Sequence, residues 1–196
     1  SRPRRRAPEA AAATGPARRA SKATHAPEVV LGPLGDPAAG GSCVAHADGA
    51  TWFVRGGLPG ETVRVTRTGT SRGGRIVFAD VTQVLEASPD RVEPPPCQWA
   101  GRCGGCDLLH VAPTAQESWK ARVIADQLAR IGGIRELGGV PIAEAVVVES
   151  VPVDAQPPGL GWRTRLTLDV DEAGRGCFHV RRGELLAVGA CRVAVP

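Results

Sequence analysis

Three cysteines fall within ten residues, in Cys97-Gln-Trp-Ala-Gly-Arg-Cys103-Gly-Gly-Cys106, and no other stretch constrains what this chain can fold into as tightly. So dense a run in a chain without a secretion signal points to a metal or metal–sulfur centre rather than to disulfides. Gly104 and Gly105 let the backbone wrap closely, so that the flanking thiolates face one centre and amide N–H groups turn toward sulfur. Three thiolates from one loop leave a fourth position to fill. Cys43 and Cys177 read as small apolar residues on strands. Cys191 follows the last strand at a Gly-Ala turn, outside regular structure, where a ligand can be positioned freely. His110 competes from nearby, since Cys97, Cys103, Cys106 and His110 would make a set of three thiolates and one imidazole suited to zinc. On spacing alone, iron–sulfur and zinc stand level.

Composition narrows the setting. The 196 residues suffice for one large domain or two small ones, and 25 Gly with 17 Pro keep long helices from dominating. No apolar run is long enough to cross a bilayer, and no apolar stretch near Ser1 resembles a signal peptide. The sequence starts at Ser1 and has no Met, so a fragment or a processed product is expected. Free cysteines then belong in a reducing cytoplasm, with no membrane partner. The net charge of +4 is unevenly spread: residues 1–27 hold Arg2, Arg4, Arg5, Arg6, Arg18, Arg19 and Lys22 against Glu9 alone. This Ala/Pro/Arg segment should be disordered, either a salt-sensitive phosphate-binding arm or a solubilising leader.

From residue 28 the texture changes to short alternating runs. Glu28–Leu31, Gly41–His46, Thr51–Val54, Thr62–Thr68 and Arg75–Leu85 read as strands, separated by Gly, Pro and Asp turns. Five short strands predict a small closed barrel of the oligonucleotide-binding type over residues 28–90. Arg55, Arg64, Arg67, Arg72 and Arg75 lie between residues 51 and 75, opposed in that stretch only by Glu61, and suit an RNA backbone, with Trp52 or Phe53 able to stack a base. The competing reading makes one aromatic core and leaves the arginines solvated.

Residues 91–196 read as an incomplete α+β domain around the cysteines. Pro94-Pro95-Pro96 forms a stiff linker that delivers Cys97. Thr114 and Glu117 predict a capping box, Ala121, Ile124, Leu128 and Ile131 a helical face, and Gly132-Gly133 the stop. Ala145–Val151, Trp162–Val170, Cys177–Arg181 and Leu185–Val188 read as strands, with a hairpin loop at 170–174. Alternation within 162–170 puts Arg163 and Arg165 on one side and, behind Trp162, makes a face for single-stranded RNA.

In order and motif the chain resembles the RNA (uracil-5-)-methyltransferases that carry an N-terminal TRAM domain and a 4Fe–4S cluster, the type that makes 5-methyluridine in 23S ribosomal RNA. The similarity covers roughly residues 30–196. It rests on Gly56-Gly57-Leu58-Pro59-Gly60-Glu61-Thr62-Val63, on Cys97-x5-Cys103-Gly104-Gly105-Cys106-Asp107-Leu108-Leu109-His110, on Trp119-Lys120, on Gly161-Trp162-Arg163-Thr164-Arg165 and on the stretch ending Val188-Gly189-Ala190-Cys191. The resemblance implies that Cys191 is the fourth cluster ligand beside Cys97, Cys103 and Cys106, and that ribosomal RNA is the first candidate partner and transfer RNA the second. Two positions depart from the family pattern: Arg192 stands where a proline is usual, and Gln98 follows Cys97 where the loop usually starts Cys-Pro. The family's S-adenosylmethionine site and nucleophilic cysteine belong to a Rossmann-like domain that the sequence does not reach. The chain alone is therefore expected to be a monomer without catalytic or cofactor-binding residues. A non-enzymatic RNA-binding module with a zinc site at His110 is the alternative.

Overall fold

The computed structural model describes residues 27–150, 159–180 and 183–195. The expected basic arm, residue 27 apart, lies outside them. The first part is built on one curled sheet: β1 (Glu28–Leu31), β2 (Pro37–Ala38), β3 (Ser42–Ala47), β4 (Ala50–Arg55), β5 (Thr62–Thr70) and β6 (Ile76–Glu86). The strands lie in the order β1-β5-β6-β4-β3-β2, antiparallel except for the parallel β4–β6 pair. Period-two alternation sends Cys43 and Ala45, Trp52 and Val54, Val63 and Val65, and Val77 and Ala79 to one shared core. All five expected strands are present; the short β2 is an addition. The β1–β2 connector bonds to both sides of the curl: Leu34 N–H donates to Glu61 O (2.9 Å) and Gly35 N–H to Val44 O (2.7 Å).

Helix α1 (Pro113–Arg130) packs on this core through Ala115, Trp119 and Val123. Its start differs from the expected capping box. Ala112 is the N-cap, Pro113 opens the first turn, and no side chain caps the free N–H groups. Pro113 supplies a preset φ and lacks one of the N–H groups a cap would serve, while Glu117 accepts a hydrogen bond from Ser150 Oγ. The helix ends as expected, with Gly133 at φ +67° and Ile134 N–H donating to Leu128 O at 2.9 Å. The expected apolar face is misplaced: Ile124 is exposed and Ile131 is 79% exposed.

Beyond α1, a small hairpin joins β7 (Glu136–Leu137) to β8 (Val140–Pro141), followed by the one-turn α2 (Ile142–Ala145). The expected strand 145–151 is not formed: residues 146–150 have no regular structure, and 151 is not among the described residues. A three-stranded sheet follows, with β10 (Gly176–His179) between β9 (Asp169–Val170) and β11 (Leu185–Ala187). Of the expected strand 162–170 only the last two residues are β9. Residues 162–163 instead run beside the chain end, with Arg163 N–H donating to Val193 O (2.8 Å) and Val195 N–H to Arg163 O (3.0 Å). The hairpin at 170–174 is present, closed by Asp171 Oδ1 accepting from the Ala173 and Arg175 amides.

Candidate functional site

The cysteine loop hangs from a short two-stranded base. Val92 N–H donates to His110 O (2.9 Å) and Ala112 N–H to Asp90 O (2.8 Å), with Arg91 bridged to Val111 between them. Arg91 fastens this base to the curled sheet through Glu61. Its Nε and Nη2 each lie 2.6 Å from a Glu61 carboxylate oxygen, and Nη2 also donates to Gly56 O at 2.8 Å. Glu61 has no exposed surface and accepts further bonds from the Leu58 and Ser88 amides. Burial alone would raise its pKa, yet Arg91 and those two N–H groups hold it below the ordinary carboxylate range. A second contact comes from Gly41, at φ +71°, where a side chain's Cβ would stand 2.6 Å from Asp107 Cβ.

Within the loop, Cys103 N–H donates to Trp99 O (2.8 Å), and Gly105 N–H lies 3.4 Å from Cys103 Sγ. Gly104 N–H donates to His179 O (3.2 Å), so the loop abuts the end of β10. This docking brings Cys97, Cys103, Cys106 and Cys191 to one cavity, whose other walls include Trp99, Leu109, Phe178, Val188, Val193 and Arg163. Burial and then the neighbouring Cys191, Cys103 and Cys97 push the Cys106 thiol up to about 11, against a lowering effect of Arg163. Four thiols gathered in an apolar enclosure form a donor set suited to a thiophilic cationic centre. The Trp99 indole N–H is buried without an acceptor among the described residues. Among those residues no three His, Cys, Asp or Glu side chains are grouped closely enough to grip a lone metal ion.

The other candidate ligands lie elsewhere. Cys43 is fully buried in the barrel, its thiol 3.4 Å from Gly57 O and pushed up to about 12 by burial. Cys177 is buried in β10, with its thiol 3.3 Å from Arg175 O. His110 does not line the thiol cavity. Its Nε2 is buried with no hydrogen-bond partner among the described residues, and burial and the Arg91 charge lower its pKa.

The barrel arginines divide into two groups. Arg55 makes a double hydrogen bond to Asp80 (3.0 and 3.1 Å), and Arg64 lies 3.7 Å from Glu28. Arg67 stacks over Trp52, 5.2 Å from the ring centroid. Arg72 and Arg75, at the β5–β6 turn, are exposed and make no ion pair among the described residues. Trp52 is core, while Phe53 stacks on Phe78 (centroids 5.9 Å apart) toward the outside of the sheet. Trp162 is 49% exposed, with the Arg163 guanidinium 5.3 Å from its ring centroid. Arg163 and Arg165 do not share a face, because 162–165 is no regular strand: Arg163 is half-buried at the thiol cavity and Arg165 is exposed. The Glu61–Arg91 pair and the Trp99 and Phe178 walls were absent from the sequence reading. Only the position of Trp99 inside the cysteine run signalled any of them.

No family model matches the chain. It is 39% identical over 175 residues to a protein of Streptomyces avermitilis named as an uncharacterized RNA methyltransferase, a match covering 86% of this chain and 39% of that protein. A protein of the same description from Streptomyces coelicolor is 38% identical over 173 residues, covering 85% of this chain and 36% of the relative. The chain is homologous to the N-terminal part of these RNA methyltransferases. A further relative is the 23S rRNA (uracil(1939)-C(5))-methyltransferase RlmD of Pseudomonas putida, 36% identical over 139 residues, which covers 66% of this chain and 30% of the enzyme. The chain thus spans about two fifths, or less, of the length of the curated relatives it matches.

Proposed function

We propose that this chain is the RNA-recognising and cluster-bearing portion of an S-adenosylmethionine-dependent RNA uracil-5 methyltransferase that forms 5-methyluridine, with 23S ribosomal RNA as substrate. The convergence of four cysteines, one of them 85 residues beyond Cys106 in sequence, on a single apolar cavity carries the reading. A 4Fe–4S cluster takes one thiolate per iron. Cys97, Cys103, Cys106 and Cys191 would hold it, and the Trp99 N–H and Arg163 would face a sulfur-rich anion. Bound there, it would supply a rigid cross-link between the loop and the segment that ends in Cys191. The names of the relatives support the reaction and the RNA. The reactive cysteine and the cofactor site are assigned to the part of the relatives that this chain does not span. A zinc module is less well supported, since His110 is not among the residues that line the four-thiol cavity.

The test is anaerobic preparation with metal analysis. The protein should be brown, with visible charge-transfer absorbance and about four irons per chain. Replacing any of Cys97, Cys103, Cys106 or Cys191 by Ser should bleach it, while Cys177→Ser keeps the colour. Folded, colourless protein with stoichiometric zinc would overturn the cluster.

A further inference from the structure

Arg163 was expected on an RNA-facing strand, and its position gives it another role. Its backbone is fixed by the Val193 and Val195 bonds, so the side chain starts from a held position two residues from Cys191's own turn. From there Arg163 reaches the wall of the thiol cavity and at the same time stacks on the half-exposed Trp162. Two cationic side chains line that cavity, Arg163 and Arg192; Arg192, which immediately follows Cys191, is exposed, whereas Arg163 is half-buried. No carboxylate lines the cavity, and Arg163 has no ion pair among the described residues. A half-buried guanidinium without an acidic partner, set against four thiols, has only an anionic centre to compensate it there.

We infer that Arg163 is the charge-compensating residue of the cysteine centre, with Trp162 holding its guanidinium against the cavity. The inference rests on the cluster reading above. Four thiolates leave a 4Fe–4S centre with net negative charge, and each electron taken up makes it more negative. A fixed cation at the wall therefore favours the reduced form and raises the reduction potential; burial strengthens the effect, because the charge is poorly screened there. Trp162 acts through Arg163: cation–π stacking keeps the guanidinium from swinging into water.

The experiment is a potentiometric titration of the anaerobic protein, reduced with dithionite and followed by the loss of visible absorbance. Arg163→Gln should move the midpoint to a more negative potential. Arg163→Lys should recover most of the shift, and Trp162→Leu, which frees the guanidinium, should produce part of it. Arg165→Gln, an exposed residue of the same segment, should leave the midpoint in place. Iron content in each variant separates a changed potential from a lost centre. A brown wild type whose midpoint is the same in Arg163→Gln would overturn this inference while leaving the cluster intact. A colourless wild type would take down the cluster reading and this inference together.

Discussion

Glu61 is an anion without exposed surface, and its four hydrogen-bond donors come from two stretches: the Leu58 turn and the turn from Ser88 to Arg91. Removing its charge leaves the Arg91 guanidinium buried without a counter-ion, so Glu61→Gln should destabilise the protein by about 3–5 kcal/mol. The pH dependence has a defined sign. The folded-state pKa lies below the ordinary value of 4.5, so the stabilisation is complete above that value and disappears as pH falls through the lower, folded one. Denaturant unfolding between neutral and acid pH should show this loss in the wild type and its absence in Glu61→Gln. The same scale explains why the pair was illegible. Glu61 and Arg91 stand 30 residues apart, and nothing in either neighbourhood marks them as partners. Glu61 was noticed only as the single acid among the barrel arginines, which hid that Asp80 and Glu28 are the acids facing those arginines.

Element by element, legibility follows how local the signal is. The five main barrel strands could be read because alternation is written within each strand. In the second half β10 and β11 were read the same way, but residues 162–168 were not, because 162–163 is held by backbone bonds to residues about thirty positions later rather than by its own pattern. In α1 the spacing was right and the face was wrong, since the barrel meets the helix along Ala115, Trp119 and Val123. Trp119→Ala should therefore cost about 3–5 kcal/mol, whereas Ile131→Ala should fall within about 0.5 kcal/mol; urea midpoints of the two variants check the assignment. The β5–β6 turn gives a second test. Arg72 and Arg75 are free of acids, so Arg72→Ala with Arg75→Ala should weaken RNA binding and lower the slope of log K against log salt by about one per arginine removed. Arg55→Ala should change that slope less, because Asp80 already neutralises Arg55.

At the scale of the molecule, a S-adenosylmethionine site needs a strand that ends in a Gly-rich turn and leads into a helix. The described residues place Gly73-Gly74 between two antiparallel strands and Gly132-Gly133 after a helix. Calorimetry of this chain with S-adenosylmethionine should therefore show no heat of binding, and a micromolar affinity would move the cofactor site into these residues. The Arg91–Val111 base has a consequence for the order of assembly. Its clamp depends on the Leu58 and Ser88 amides that hold Glu61, so the placement of the loop with three of the four thiols depends on the folded sheet. Under the proposed cluster reading, loading of the centre would act as an inspection step: a chain whose sheet is misfolded would keep every cysteine and still fail to take up iron. Glu61→Gln, which alters no ligand, should be the paler protein when iron and sulfide are supplied in equal amounts.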